Sequence, residues 1–264
     1  MKAREKTVDK SSERVRKMFG EIAPKYDFLN NLLSVGLAPL WRRRLATETL
    51  KRIASRFERE GRSSADAVVE TLDAATGTGD AAIELGRRWN AFSRRGALRG
   101  ATLRRVGIDF SPEMLALARR KAPDVEFVEA DGCALPFESN RFDAATISFG
   151  LRNMVDPAQG IAEMARVCKP GGVVAILEFS PSRFPIFAPI FRFYFHRILP
   201  KIGQRIAKND SDAYNYLPAS VDAFDSPERV LEYMRDSGLS NARRYSMTFG
   251  VLGLFIGEKK AEED

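Results

Sequence analysis

The stretch that decides the fold is residues 72–80, Leu72-Asp73-Ala74-Ala75-Thr76-Gly77-Thr78-Gly79-Asp80. An apolar run from Val68 leads into it, and a helical pattern begins at Asp80. A strand that passes through glycines into a helix is typical of open α/β sheets, where ligands lie beyond the carboxyl ends of the strands. Gly77 and Gly79 let the backbone approach such a ligand closely, although a tight turn without a ligand is the alternative. The pattern predicts a binding loop.

Downstream, short apolar runs alternate with amphipathic segments, which predicts parallel strands joined by helical crossovers. The predicted strands are Val68–Ala75, Val106–Phe110, Val125–Ala130, Phe142–Phe149 and Val173–Phe179, and the helices are Asp80–Trp89, Pro112–Lys121 and Pro157–Cys168. Lys169-Pro170-Gly171-Gly172 is predicted as a turn. A helix at Pro227–Ser237 precedes strands Arg243–Phe249 and Leu252–Glu258, which Gly250 joins as an antiparallel hairpin at the sheet edge. The expected fold is a doubly wound α/β sheet, Rossmann-like and mostly parallel.

Residues 1–64 are predicted to be a helical arm or cap, with helices at Arg14–Phe19, Tyr26–Leu33 and Leu40–Phe57. Residues 65–264 are predicted to form the main domain, interrupted by a lid insertion at about 181–224.

Composition limits the function classes. The chain has 264 residues, 44% of them hydrophobic, and a formal net charge of +7. Cys133, Cys168 and the single histidine, His196, share no metal-ligand spacing, so we expect neither a metal site nor a disulfide framework. The charged start and the lack of a long apolar run predict a cytoplasmic protein. The seven arginines of Arg87–Arg105 are interpreted as a solvated loop rather than a nucleic-acid site.

Further polar residues follow the later strands. Asp109 ends the second strand, where it can accept hydrogen bonds from ribose hydroxyls. Asp131 ends the third and can reach an adenine amino group, and Ser148 ends the fourth. A carboxylate at a helix start repels a pyrophosphate, whereas Asp73 and Asp80 would attract the sulfonium and ammonium of S-adenosylmethionine. Each acid alone is more often a helix cap, but four at one edge predict that cofactor.

The order of four motifs resembles class I methyltransferases: Asp-x-x-Thr-Gly-Thr-Gly-Asp from Asp73, Gly-Ile-Asp-x-Ser-x-x-Met-Leu from Gly107, Ala-Asp-Gly-x-x-Leu-Pro-Phe from Ala130, and Lys-Pro-Gly-Gly from Lys169. Three more stretches, residues 19–30, 147–153 and 214–220, resemble the ubiquinone/menaquinone biosynthesis C-methyltransferase family. The resemblance covers residues 12–258. Two departures stand out: the segment before Asp109 is long, and Asp131 replaces a frequent asparagine. The glycine loop also has Ala75 where a third glycine is common.

The resemblance implies methyl transfer from S-adenosylmethionine to a ring carbon of a polyprenylated quinol. The resemblance leaves two substrates: demethylmenaquinol, or the 2-methoxy-6-polyprenyl-1,4-benzoquinol intermediate of ubiquinone synthesis. Pro218 resembles the menaquinone-type members of the family more closely and so favours demethylmenaquinol. Cofactor contacts carried over by position are Thr78, Asp109, Asp131, Gly132 and Ser148. Asp73, Gly77 and Gly79 are added from the loop.

Methylating a ring carbon requires a quinol made electron-rich by losing a hydroxyl proton. Arg152 is predicted to stabilise the developing phenolate and Asn153 to fix a hydroxyl, although a structural ion pair is the alternative for Arg152. Tyr26 is predicted to contact the quinol or the methionine end, or else to be a packed aromatic residue. The sequence identifies no side chain as the general base. A water held by Arg152 or by an acid is the hypothesis, and His196 is interpreted as structural.

The segment Phe184–Leu199 is dense in aromatic residues, with Arg192 and Arg197 interspersed. It predicts a hydrophobic lid, or a tunnel or membrane-facing surface for the polyprenyl tail. We therefore expect transient contact with the inner face of the membrane. A homodimer is compatible with the sequence, although no sequence motif indicates one. Two rival functions stay open: another small-molecule or RNA methyltransferase, and a non-catalytic scaffold in a quinone-synthesis assembly.

Overall fold

A computed structural model describes residues 12–61, 67–94, 96–180, 193–194, 197 and 213–260. Its centre is a seven-stranded sheet in the order β3-β2-β1-β4-β5-β7-β6. The strands are β1 Val68–Ala74, β2 Thr102–Asp109, β3 Glu126–Glu129, β4 Phe142–Ser148, β5 Cys168–Phe179, β6 Leu239–Met247 and β7 Leu252–Lys259. The first five strands pair in parallel, and β7 is antiparallel to both β5 and β6. The predicted doubly wound sheet with a terminal antiparallel hairpin is confirmed.

Helices cover both faces of this sheet. They are α1 Ser12–Leu33, α2 Ala38–Arg59, α3 Asp80–Phe92, α4 Pro112–Lys121, α5 Pro157–Val167, α6 Ala213–Asp222 and α7 Pro227–Asp236. Side chains alternate along each strand. Val173 and Ala175 of β5 therefore pack against the cluster that contains α2 and α3, whereas Val174 packs against the cluster that contains α5 and α7. The resulting two cores hold the carboxyl ends of β1 to β5 at one edge.

Three sequence expectations need correction. The helices predicted at Arg14–Phe19 and Tyr26–Leu33 are one continuous helix, α1. Much of the basic stretch Arg87–Arg105 is regular structure, since α3 extends to Phe92 and β2 begins at Thr102. The predicted turn at residues 169–172 is an outward bulge early in β5, where Phe142 pairs with Cys168 but Ala144 pairs with Val173.

The N-terminal helices are packed tightly against the main fold. Leu50, Ile53 and Phe57 of α2 are fully buried in the same core as β5 and β7. The division into an arm at 1–64 and a domain at 65–264 stays a prediction. Of the predicted lid, residues 181–192, 195–196 and 198–212 lie outside the described part, and with them His196; the last part of the lid range forms α6. None of the helices in the described ranges is both long and apolar enough to cross a membrane.

A buried ion pair fixes α2 to the end of the sheet remote from the strand termini described below. Arg56 bonds to the carboxylate of Asp143, which is fully buried at the start of β4. The same carboxylate accepts bonds from Lys169 Nζ at 2.9 Å and from the backbone N–H of Glu70 at 2.9 Å. Since a buried charge is costly without partners, this set of three donors ties α2, β1 and β5 together.

Candidate active site

The loop after β1 is held from beneath by Asp73. Its carboxylate accepts hydrogen bonds from Thr76 Oγ1 at 2.6 Å and Thr146 Oγ1 at 2.8 Å. Burial raises the pKa of Asp73 to about 6, although both hydroxyl bonds oppose the shift. Asp73 thus braces the loop against β4. It does not line the cleft that the loop borders.

Asp109, at the end of β2, holds the same loop from the side. Its two carboxylate oxygens accept backbone N–H bonds from Gly77 at 2.8 Å and Ser111 at 2.9 Å. Burial raises the pKa of this carboxyl, partly offset by those bonds. A carboxylate offers about four acceptor positions. With the Phe110 N–H as a further donor, the carboxylate retains acceptor capacity for a ligand hydroxyl.

A cleft of about 380 Å³ opens beside Asp109 and brings many predicted residues together. Its size falls within the range usual for small-molecule sites. The predicted site residues among its lining are Tyr26, Gly77, Asp109, Asp131, Gly132, Ser148 and Asn153. The hydroxyl oxygen of Ser148 is buried there without a hydrogen-bond partner in the described structure. Such an atom is normally satisfied, so it marks a position where a bound molecule supplies the partner.

The charge of the lining favours a cationic ligand. The lining contains three carboxylates, those of Glu13, Asp109 and Asp131, and one guanidinium, that of Arg16. Arg16 is itself paired with Glu129 at 3.1 Å. A pyrophosphate would meet net negative charge here, whereas the sulfonium and ammonium of S-adenosylmethionine would be attracted. The residues present therefore fit that cofactor.

Asp80 does not carry the role that the sequence suggested. Its carboxylate, at the start of α3, binds Arg42 of α2 at 3.0 Å and Lys121 of α4. Two cations neutralise it, and it is absent from the cleft lining. The preference for S-adenosylmethionine over a dinucleotide thus rests on the lining acids instead. Arg42 and Lys121 could not be anticipated because they come from other helices.

Thr78 and Gly79 also lie away from the cleft lining. Thr78 Oγ1 donates to Asp27 of α1 at 2.5 Å and accepts from Lys121 Nζ at 3.1 Å. Gly79 adopts a positive φ of 85° before α3, and a Cβ there would lie 3.1 Å from the Phe127 ring. Their contacts join the loop to α1, α4 and β3, and direct cofactor contact by these two residues stays a prediction.

Ala75 explains how the loop does without a third glycine. It adopts a left-handed φ of 48°, which is unfavourable for alanine. Its methyl group lies where a Cβ on Gly150 would come within 2.6 Å. Glycine at 150 therefore makes room for alanine at 75, and both residues line the cleft.

The turn after β4 carries the predicted substrate residues. Asn153 lines the cleft, and its side chain donates to the Phe149 carbonyl at 3.3 Å and accepts from Tyr216 at 3.3 Å. Arg152 is buried and does not line the cleft. It forms an ion pair with Glu178 at 2.8 Å. The predicted contact between Arg152 and the phenolate stays a prediction, and the alternative of an ion pair is what the structure contains.

Tyr26 of α1 lines the cleft close to Gly77 of the loop after β1. Its ring packs edge-on against Phe19 with centroids 6.0 Å apart. Burial raises the pKa of its hydroxyl. Tyr26 is therefore neutral over the physiological range and can both donate and accept a hydrogen bond.

Glu178 was not singled out from the sequence. The sequence marks it only as a charged residue that follows the apolar run Val173–Leu177 of β5. Glu13 and Arg16 were missed as well, because nothing in the sequence places α1 over the cleft.

A model of the ubiE/COQ5 methyltransferase family matches residues 6–259. This chain belongs to that family. A relative from Deinococcus radiodurans, named demethylmenaquinone methyltransferase, is 42% identical over 94% of this chain and 93% of its own length. A relative from Geobacter sp. (strain M21), named ubiquinone/menaquinone biosynthesis C-methyltransferase UbiE, is 40% identical over 96% of this chain and 99% of its own.

The fold has solved counterparts. One is a structure from Thermotoga maritima described as a SAM-dependent methyltransferase, possible histamine N-methyltransferase, with a TM-score of 0.59 and 16% identity. The match covers 92% of this chain and 99% of that chain. At that identity the likeness supports the class I methyltransferase fold alone. Membership of the ubiE/COQ5 family makes the chain a methyltransferase, with S-adenosylmethionine as its cofactor.

Proposed function

We propose that this protein transfers the methyl group of S-adenosylmethionine to a ring carbon of demethylmenaquinol, giving menaquinol. The single observation that carries the proposal is the composition of the cleft. The lining combines polar acceptors at the ends of β2, β3 and β4 with apolar side chains, namely Phe19, Phe110, Phe149, Met154 and Val155. The name of the Deinococcus relative supports the naphthoquinol as substrate.

When bound, the cofactor supplies a methyl group on a positively charged sulfur. The chain's part is to hold it and keep its direction fixed. Asp109 would accept a ribose hydroxyl with the acceptor capacity left beside its backbone bonds. Ser148 would gain a partner for its buried hydroxyl, and Asp131 lines the same cleft. Placing reactants in line is a large part of the rate enhancement for such a transfer.

The quinol ring is held between Tyr26 and Asn153, which face the cleft from α1 and from the turn after β4. The Tyr26 hydroxyl keeps its proton because its pKa is raised, so it can donate to a ring oxygen. A donor at that oxygen stabilises the phenolate that makes the ring carbon nucleophilic. The proton acceptor is proposed to be a water at this wall.

The methoxy-benzoquinol intermediate of ubiquinone synthesis is the second candidate substrate. The name of the Geobacter relative includes both quinones. The same cleft residues would hold it, since both substrates are hydroquinols.

The test is transfer of labelled methyl from S-adenosylmethionine to each reduced quinone in parallel, using wild type and Tyr26→Phe. Product from demethylmenaquinol alone, reduced in the variant, is expected. Product from the benzoquinol alone would show that the benzoquinol, and not demethylmenaquinol, is the substrate. No product from either quinol, with cofactor binding intact by calorimetry, would refute the quinone assignment.

We also propose transient contact with an anionic membrane surface, where a polyprenylated quinol resides. Val35 and Leu40, near the start of α2, are 73% and 57% exposed, and Phe249, in the turn between β6 and β7, is 61% exposed. Trp41 joins the two segments through a bond to Thr248 at 2.9 Å. The β6–β7 turn lies at the carboxyl edge because Phe179 pairs with Leu252.

Flotation with vesicles containing anionic lipid at low salt tests this surface. Leu40→Asp should reduce binding, whereas Val68→Asp, at an exposed apolar position at the start of β1, should not. Wild type that ignores the vesicles would refute the contact. Light scattering on the same preparations tests the homodimer, which stays a prediction.

A further inference from the structure

A fully buried carboxylate lies directly behind the substrate wall of the cleft. Glu178, near the end of β5, accepts a bond from Arg152 Nη1 at 2.8 Å and from the backbone N–H of Arg152 at 3.2 Å. It also accepts from the Phe179 N–H at 2.8 Å. Two of these three donors belong to one residue. The charge of Glu178 therefore fixes both the backbone and the guanidinium of Arg152.

Arg152 in turn holds the turn that faces the cleft. Its Nη1 also donates to the Phe149 carbonyl at 2.6 Å, which Asn153 bonds as well. Phe149 adopts a left-handed φ of 62°, which is rare for an aromatic residue and persists only where surrounding contacts enforce it. The ion pair of Arg152 with Glu178 is part of that enforcement.

The same arginine reaches α6, which lies within the range predicted for the lid. Its Nε donates to Ser220 of α6 at 3.3 Å, and Tyr216 of α6 bonds Asn153. Tyr216 packs against Val15 and Met18 of α1. Glu178 thus stands at the base of a network that joins β5, the turn after β4, α6 and α1.

We propose that Glu178 is a positioning residue for methyl transfer, acting through Arg152 to hold Asn153 and Phe149 against the substrate. The proposal rests on the proposed function. In Glu178→Gln the side-chain amide brings N–H donors next to the N–H donors of Arg152. The turn loses its fixed geometry, while Asp109 and its two backbone bonds, on β2, keep theirs.

The experiment measures kcat and KM for the quinol and the Kd of S-adenosylmethionine in wild type and Glu178→Gln. The matched control is Glu163→Gln. Glu163 also binds an arginine, Arg166, and a backbone N–H, that of Leu135, but none of the three lines the cleft. We expect Glu178→Gln to lower kcat roughly 10- to 100-fold, as misplacement of reacting groups does. The Kd of the cofactor should change less than about twofold, and Glu163→Gln should behave as wild type.

A folded Glu178→Gln variant with wild-type kcat would overturn the proposal. A cofactor Kd that weakens in parallel with kcat would also overturn it, because that result signals a general structural role. If Glu178→Gln does not fold, Ser220→Ala removes one contact of Arg152 and should lower kcat several-fold at unchanged cofactor affinity. Unchanged kcat in Ser220→Ala would then reject the network. Wild type inactive on both quinols would instead refute the proposed function, and this proposal with it.

Discussion

Gly150 and Ala75 share space for one methyl group, and this pair allows a quantitative test of the cleft geometry. A Cβ on Gly150 would lie 2.6 Å from the Ala75 methyl and 3.2 Å from two atoms of Ile147. The φ of Gly150, −102°, is one that alanine accepts. Gly150→Ala should therefore be destabilising through overpacking alone, by about 1 to 3 kcal/mol. Since both residues line the cleft, affinity for S-adenosylmethionine should fall as well.

Ala75→Gly removes the competing methyl group. It also removes the strain of an alanine in the left-handed conformation, which is worth about 1 kcal/mol. Glycine increases the conformational entropy of the unfolded chain, and this costs about as much stability. The single variant should thus be nearly as stable as wild type. In the double variant only the Ile147 contact remains, and that side chain can shift. The double variant should recover about 1 to 2 kcal/mol of the loss caused by Gly150→Ala.

Urea unfolding of wild type, both single variants and the double variant measures this coupling directly. Titration calorimetry with S-adenosylmethionine, on the same four proteins, should show recovery of affinity in the double variant. Losses that add within about 0.5 kcal/mol would refute the shared space.

Three further outcomes follow from the described contacts. Asp109→Asn places an amide N–H against the backbone N–H of Gly77 or Ser111. Calorimetry should show the Kd of S-adenosylmethionine raised about 10- to 100-fold, which corresponds to the loss of a charged hydrogen bond. An unchanged Kd would contradict the role of Asp109 in binding the cofactor. Asp143→Asn should lower the free energy of unfolding by about 3 to 5 kcal/mol by removing the buried counter-charge of Arg56, whereas Asp124→Asn, which removes a largely exposed carboxylate, should cost under about 1 kcal/mol in the same urea titration. Asp73 holds a proton in the folded state up to pH of about 6, but in the unfolded state only to about 4, so its contribution to stability grows as pH falls through that window and is lost as pH rises through it. The difference in the free energy of unfolding between wild type and Asp73→Asn should therefore change by about 2 to 3 kcal/mol from pH 4 to pH 7. An equal difference at both pH values would reject the raised pKa.

The central strands were predictable from the sequence, because burial on both faces leaves β1, β4 and β5 as short, mainly apolar segments. The turn at 73–80 and the acid ending β2 were located for the same reason, as they follow such runs. The antiparallel hairpin was recognised from its short connection at Gly250. These features depend on residues close together in the chain.

Contacts between distant residues were not predictable in this way. Asp80 has the sequence context of a ligand-facing acid, yet cations from α2 and α4 neutralise it. Arg152 has the context of a substrate-facing residue, but Glu178, 26 positions later, binds it from behind. Local patterns identify which side chains stand near an edge, whereas tertiary packing decides the direction in which each one points.

The position of β7 has a consequence for synthesis on the ribosome. β7 is the last of the seven strands to be translated, yet it lies between β5 and β6 and covers β5 along Val173–Phe179. Until residues 252–259 emerge from the exit tunnel, β5 presents an unpaired edge, and Leu254 and Ile256 are missing from the core that α2 and α3 share. The nascent chain can therefore form its cofactor loop early but completes its sheet only late. A pause in translation after β5 has emerged would hold open an edge prone to pairing with neighbouring chains, and that edge closes only when residues 252–259 have left the tunnel.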